Sequence, residues 1–212
     1  MNLPDYIRGV IFDLDGTLLD SLGVWGEIDE RFLAMRGIEF PPDYTANVGT
    51  MEFRQAAEYT IERFGLSDSP EQIMQEWTDM AVDAYATELK LKPRAKEVLT
   101  ELKARGIKLA VATSSITDMC LPALRNNGVL HLFDAVVTTR EIGKGKTFPD
   151  VYLAAAQRLG VSPSCCAVCE DLLRAVITAK NAGFYTVGVY DKHSLSGVEE
   201  IKAVANDFVS FD

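Results

Sequence analysis

Asp13 and Asp15 stand two residues apart at the end of an apolar, β-rich run, in VIFDLDGTLLD from Val10 to Asp20. In extended backbone, residues i and i+2 point to the same side, so both carboxylates can face one small volume. Open parallel sheets bind their ligands outside the carboxyl ends of the strands, and this is such an end. Two like charges so close are costly unless a cation lies between them or one keeps a proton. A polar strand-to-loop turn is the plainer alternative for a lone D-x-D. The β-rich run leading into DLDGT is more specific than that.

Other chemistries are poorly supplied. The chain has two histidines, His131 and His193, far apart in sequence. That leaves no histidine-rich metal site and no Ser-His-Asp arrangement. Of four cysteines, Cys165, Cys166 and Cys169 fall in CCAVC and Cys120 stands alone. A four-ligand zinc site needs a second pair, and the segment also reads as a short buried strand in which Cys packs as a small hydrophobe. Catalysis is left to carboxylates, Lys, Ser or Thr. GKGKT at Gly143 to Thr147 imitates a phosphate-binding P-loop, but that pattern requires Gly where Arg140 stands. Taken singly, Lys146 reads as a solvated loop residue and Thr113 as a strand end. Glu170 and Asp171 alone read as an acidic helix start.

The elements around these residues follow a clear rhythm. Arg94 to Arg105 reads as a helix with Ala95, Val98, Leu99 and Leu102 on one face, ended by Gly106 and followed by the strand IKLAVAT. Gly128 precedes FDAVV, Gly160 closes Val151–Leu159 before CCAVC, and Gly183 closes Leu172–Ala182 before YTVGVY. Gly suits the left-handed position that ends a helix. Alternating helix and strand with short links predicts an α/β fold with a doubly wound parallel sheet, its first strand at Ile7 to Phe12. Pro122 sits inside the helix expected over Ile116 to Asn127, which should therefore start late or kink.

Between about residues 20 and 90 the strands disappear. Trp25, Ile28, Phe32 and Met35 follow helical spacing, as do Phe53, Ala57, Ile61 and Phe64, and again Ile73, Trp77, Met80 and Ala84. Three or four helices are predicted there, with FPPDY and LSDSPE as loops. The 212 residues suit one large domain or one with a smaller module, at about 150 residues per domain. With 21 basic against 31 acidic side chains the formal net charge is −10, which argues against nucleic acid or an anionic membrane as partner. No apolar run approaches the roughly 18–20 residues of a membrane span, and no secretory signal is visible at the start. The expectation is a cytoplasmic protein, a monomer or weak dimer.

Four segments in this order resemble the haloacid dehalogenase superfamily, in its phosphatase and β-phosphoglucomutase branch. D-x-D-G-T is matched by Asp13 to Thr17, and the strand ending in Thr or Ser by LAVATSS with Thr113. The third motif is matched by Lys146 in GKGKTFPD, and the fourth by Glu170 and Asp171 in AVCEDLLRAVITAKNAG. The resemblance covers nearly the whole chain. It implies a Rossmann-like core over residues 1–20 and 90–212 with an inserted all-helical cap over 21–89. It further implies a Mg²⁺-dependent phosphatase acting on a small phosphorylated metabolite, with a phosphomutase as the alternative. Asp13 would be the nucleophile and Asp15 the general acid and base. Mg²⁺ would be held by Asp13, the Asp15 carbonyl and Asp171, with Glu170 direct or one layer out. Thr113 and the Ser114 amide would hold phosphoryl oxygens, and Lys146 would neutralise charge. Intact Asp13, Asp15, Lys146 and Asp171 argue against a purely binding protein.

The departures bear on substrate. Thr147 replaces the usual Pro after the Lys, and Leu172 and Ala175 replace the usual Ser and Gly. Trp25 stands where β-phosphoglucomutase carries a cap histidine, which favours hydrolysis over mutase activity. Trp25, Met51, Glu52 and Arg54 are the expected cap residues facing substrate, with a helical-core role the alternative for Trp25 and Met51.

Overall fold

The computed structural model describes residues 1, 3–49, 51–192 and 197–211, so His193 lies outside the described residues. The chain opens with β1 (Gly9–Phe12) and four helices, α1 (Val24–Met35), α2 (Tyr44–Val48), α3 (Phe53–Phe64) and α4 (Pro70–Thr87). Then come α5 (Ala95–Ala104), β2 (Lys108–Thr113), α6 (Thr117–Asn126), β3 (Ala135–Thr138), α7 (Thr139–Ile142) and α8 (Asp150–Leu159). The last elements are β4 (Cys166–Glu170), α9 (Leu173–Asn181), β5 (Tyr185–Val189), α10 (Val198–Val204) and β6 (Asp207–Val209). They form two compact units, one of Met1–Leu22 with Leu89–Asp212 and one of Gly23–Glu88.

In the first unit the six strands form one sheet in the order β3-β2-β1-β4-β5-β6, every pairing parallel. This is the doubly wound sheet the sequence predicts. β1 lies at its centre and all four of its residues are buried, which is why it reads as an unbroken apolar run rather than an alternating one. The helix-ending glycines Gly106, Gly128, Gly160 and Gly183 all adopt positive φ, as expected. On one face of the sheet α8 buries Val151, Tyr152, Ala155, Ala156 and Leu159. These pack with Ile11, Ala110, Ala112, Val137, Cys166 and Val168. Chain order leaves β1 toward β2 and β3 on one side and returns to β4 on the other. The crevice at the carboxyl ends of β1 and β4 is thus the place where such sheets hold ligands.

In the helical unit, α4 begins with a reciprocal cap. Ser69 accepts from the Gln72 backbone, Gln72 reaches back to the Ser69 amide, and Pro70 fills the first turn. Trp77 packs edge-on against Phe32 at 5.4 Å and tilted against Phe53 at 5.7 Å between ring centroids.

Three details differ from expectation. α6 starts promptly at Thr117 and runs through Pro122; the proline removes one donor to the carbonyl four residues back, and the flanking Met119, Cys120, Ala123 and Leu124 stay buried. Met35 shares a helical stripe with Ile28 and Phe32, yet it is 59% exposed, and Trp25 on the same stripe is 40% exposed, against the core alternative for that residue. Cys165 falls before β4, in a short turn, and all four cysteines are free thiols, with Cys120, Cys166 and Cys169 buried.

Candidate active site

β1 and β4 are neighbours, with Phe12 level with Cys169, so Asp13 and Glu170 leave the sheet side by side. The Asp13 amide still donates to the Cys169 carbonyl at 2.9 Å. Strand alternation puts Asp13 on the side of Ile11, and Glu170 on the side of Cys166 and Val168, which is the face covered by α8. Asp171 follows at the strand end. The three carboxylates are nearly sealed from solvent, at 4%, 0% and 2% exposure for Asp13, Glu170 and Asp171. Each offers an oxygen within 4.8 Å of the others.

Lys146 reaches this cluster from the loop between α7 and α8. Its ammonium donates to Asp13 Oδ1 and, at 2.6 Å, to Glu170 Oε1. The Tyr152 hydroxyl donates to the same Glu170 oxygen at 2.6 Å, and the Thr17 hydroxyl donates to Asp171 Oδ1 at 3.1 Å. Thus the GKGKT segment serves a carboxylate cluster and no P-loop.

Three carboxylates against one ammonium leave two negative charges uncompensated if all are ionised. Burial, and then the Asp13 charge, push the Asp171 carboxyl well above the usual range. Burial also raises Glu170, with the Lys146 charge opposing it in part. For Lys146, burial pulls the ammonium down, but Asp13 and Glu170 together outweigh it and hold the side chain firmly protonated. Glu170 Oε2 is buried with no hydrogen-bond partner among the described residues. Burying charge without compensation costs several kcal/mol per ion. An all-oxygen donor set with an orphaned carboxylate oxygen and excess negative charge fits a hard divalent cation of the Mg²⁺ type.

Asp15 takes a different position from Asp13. β1 ends at Phe12 and the chain turns through Gly16 at φ +78°. The Asp15 carboxylate accepts from Ser21 Oγ at 2.8 Å, and among the described residues the metal-competent group does not include it. Thr113 ends β2 fully buried, its Oγ1 accepting from the Ser115 amide at 2.9 Å, while Ser114 is exposed. Ser115 Oγ is buried without a partner among the described residues.

The residues expected to read substrate lie in the helical unit. Trp25 meets Phe53 edge-on at 5.9 Å, both rings about two-fifths exposed. Met51 is half-buried and Glu52 is the exposed residue before α3. Arg54 is exposed and paired with Glu58 and Glu71. Sequence reasoning missed Tyr152, Thr17 and Ser21 as partners of site carboxylates. Thr17 and Ser21 were adjacent to the D-x-D signal, whereas Tyr152 reads only as part of an apolar stripe.

The chain is similar to known proteins in sequence and in fold. The profile of the family described as haloacid dehalogenase-like hydrolase matches residues 10–189. A phosphorylated carbohydrates phosphatase of Thermotoga maritima is 30% identical over 90% of this chain and 88% of its own. A (DL)-glycerol-3-phosphatase of Arabidopsis thaliana is 32% identical, covering 95% and 72%. Among solved structures, a Thermotoga maritima protein with a provisional β-phosphoglucomutase assignment superposes with a TM-score of 0.87 at 29% identity, over 97% of this chain and 95% of that one. CbbY of Rhodobacter sphaeroides, solved with phosphate, has the same fold, with a TM-score of 0.75 at 24% identity over 97% and 95%. Profile, relatives and fold converge, and the chain belongs to the haloacid dehalogenase-like hydrolase family.

Proposed function

We propose that this chain is a Mg²⁺-dependent phosphatase that hydrolyses a small phosphate monoester of the sugar or polyol class through an aspartyl-phosphate on Asp13. That it is a phosphoric monoester hydrolase follows from its family and its relatives. The observation that carries the finer reading is the buried meeting of Asp13, Glu170 and Asp171 around a single Lys146.

In this reading Lys146 holds Asp13 Oδ1 and Oδ2 attacks phosphorus, while the alcohol oxygen departs with a proton from Asp15. Asp15 then takes a proton from the water that attacks the phosphorus of the aspartyl-phosphate, which frees phosphate and restores Asp13. The Ser21 hydrogen bond orients the Asp15 carboxyl between the two transfers. Thr113 and the Ser114 amide hold phosphoryl oxygens, with Lys146 balancing their charge. Mg²⁺, when bound by Asp13, Asp171 and the Asp15 carbonyl with Glu170 beside them, would supply Lewis-acid polarisation and charge neutralisation.

The helical unit acts as the cap that excludes water and reads the leaving group, with Trp25, Met51, Glu52 and Arg54 as its contact residues. The ion pairs of Arg54 are exposed, and such pairs contribute only about 0–1 kcal/mol, so a hydroxyl-rich or anionic ligand can replace them. Trp25 offers an apolar ring and no proton carrier, which favours water over a second hydroxyl as phosphoryl acceptor.

The test is phosphate release across a panel of sugar, polyol, nucleotide and small-acid phosphates. Activity should require Mg²⁺ and be inhibited by Ca²⁺, whose larger shell of about six to eight oxygens would engage both oxygens of Asp13. β-Glucose 1-phosphate with a trace of its bisphosphate should yield phosphate or nothing. Build-up of glucose 6-phosphate would assign a mutase, and full activity after exhaustive chelation would remove the metal from the account.

A further inference from the structure

Tyr152 is the single polar residue on the buried face of α8, among Val151, Ala155, Ala156 and Leu159. Its ring packs edge-on against Phe184 at 6.3 Å within the apolar core, a place phenylalanine would fill equally well. The hydroxyl therefore needs an explanation beyond packing. A buried tyrosine hydroxyl seeks a partner, and this one takes Glu170 Oε1 at 2.6 Å, the oxygen that already accepts Lys146 at 2.6 Å. Two donors from two separate elements converge on one oxygen, and the other, Oε2, stays buried without a hydrogen-bond partner among the described residues.

We infer that Tyr152 is a positioning residue: its hydroxyl fixes the rotation of the Glu170 carboxylate so that Oε2 is kept uncommitted for the divalent cation or for water bound to it. This rests on the metal reading proposed above. Lys146 cannot set that rotation alone, because an ammonium is a point charge on a flexible stem with freely turning donors, and this one is shared with Asp13. The Tyr152 hydroxyl is held by a rigid ring on a packed helix, so it donates from one direction. Partners that orient a metal ligand in this way affect affinity by roughly 10- to 100-fold when removed.

The experiment is calorimetric titration of Mg²⁺ alone into the metal-stripped full chain, for wild type, Tyr152→Phe and Tyr44→Phe. Tyr44 is the control, a buried tyrosine whose hydroxyl pairs with Thr60 in the helical unit. Tyr152→Phe should weaken Mg²⁺ binding by about tenfold or more, with Tyr44→Phe unchanged. At saturating Mg²⁺ the Tyr152→Phe rate on p-nitrophenyl phosphate should recover and its KM should match wild type. In a Glu170→Gln background, Tyr152→Phe should cause no further loss of Mg²⁺ affinity, whereas a general folding defect would add to it. Wild-type Mg²⁺ affinity in Tyr152→Phe, or an additive loss in the Glu170→Gln background, would overturn the inference while leaving the metal site standing. A wild-type chain that binds no Mg²⁺ would overturn both.

Discussion

Asp13→Asn protein is expected to fold, to melt no lower than wild type, and to release phosphate at least about 10³-fold more slowly, on the scale of losing a covalent nucleophile. The amide is isosteric, so the packing between β1 and β4 is retained. It also relieves repulsion, because Asp13 is one of three carboxylates sharing a nearly dry site, and a functional cluster of like charges is a place where stability is sacrificed. Asn Oδ1 can still accept from Lys146 where the carboxylate does now. What is lost is nucleophilicity toward phosphorus and one negative charge. Paired thermal melts and phosphate-release assays check this. Substantial hydrolysis by folded Asp13→Asn protein would remove Asp13 from its proposed role.

Gly16→Ala should have nearly as large an effect on turnover, by a different route. Gly16 has φ +78°, and a Cβ there would stand 2.6 Å from Asp171 Oδ2 and 3.0 Å from both Asp171 Cγ and Leu22 Cδ1. The left-handed backbone alone costs an L-residue roughly 1–2 kcal/mol. At about 2–4 °C per kcal/mol for a chain of this size, melting should fall by a few degrees. The clash adds displacement of Asp171 away from Thr17, and the carboxylate cluster with it, so activity should fall by about 100-fold or more, given the sensitivity of catalysis to ångström-scale misplacement. Gly106→Ala separates the two effects, since Gly106 has φ +75° with nothing within 4 Å of the added atom. It should lose similar thermal stability and keep full turnover. Equal activity in both variants would show that Asp171 need not stay where it is.

The alternation of apolar helices and strands exposed the sheet because β1, β2, β4 and β5 are buried along nearly their whole length and the longer helices along one stripe, so burial writes directly into residue type. The same logic drew attention to Asp13, a charge at the end of an apolar strand, whereas Glu170 and Asp171, which alone read as an acidic helix start, gained a site role only through the family resemblance. Tyr152 was hidden by that very signal: its ring belongs to the α8 stripe, and only the topology reveals that its hydroxyl meets a residue 18 positions away. The Asp15 environment was obscured for a local reason. Residue alternation assumes extended backbone, but the strand ends at Phe12 and the chain turns at Gly16. β6 escaped because it is three half-buried residues at a sheet edge, too short for any periodicity. Trp25 and Met35 show the limit of helical spacing, which identifies a stripe but not where a neighbouring helix stops covering it.

Passage of the phosphoryl group through Asp13 can be caught by acid-quenching the wild-type enzyme during turnover and mass-mapping its peptides. A phosphoryl increment is expected on the peptide carrying Asp13, absent from Asp13→Asn protein and lost on mild alkaline treatment, as an acyl phosphate should be. An increment on another residue, or none when the enzyme is caught with phosphoryl transfer complete and hydrolysis still pending, would contradict it.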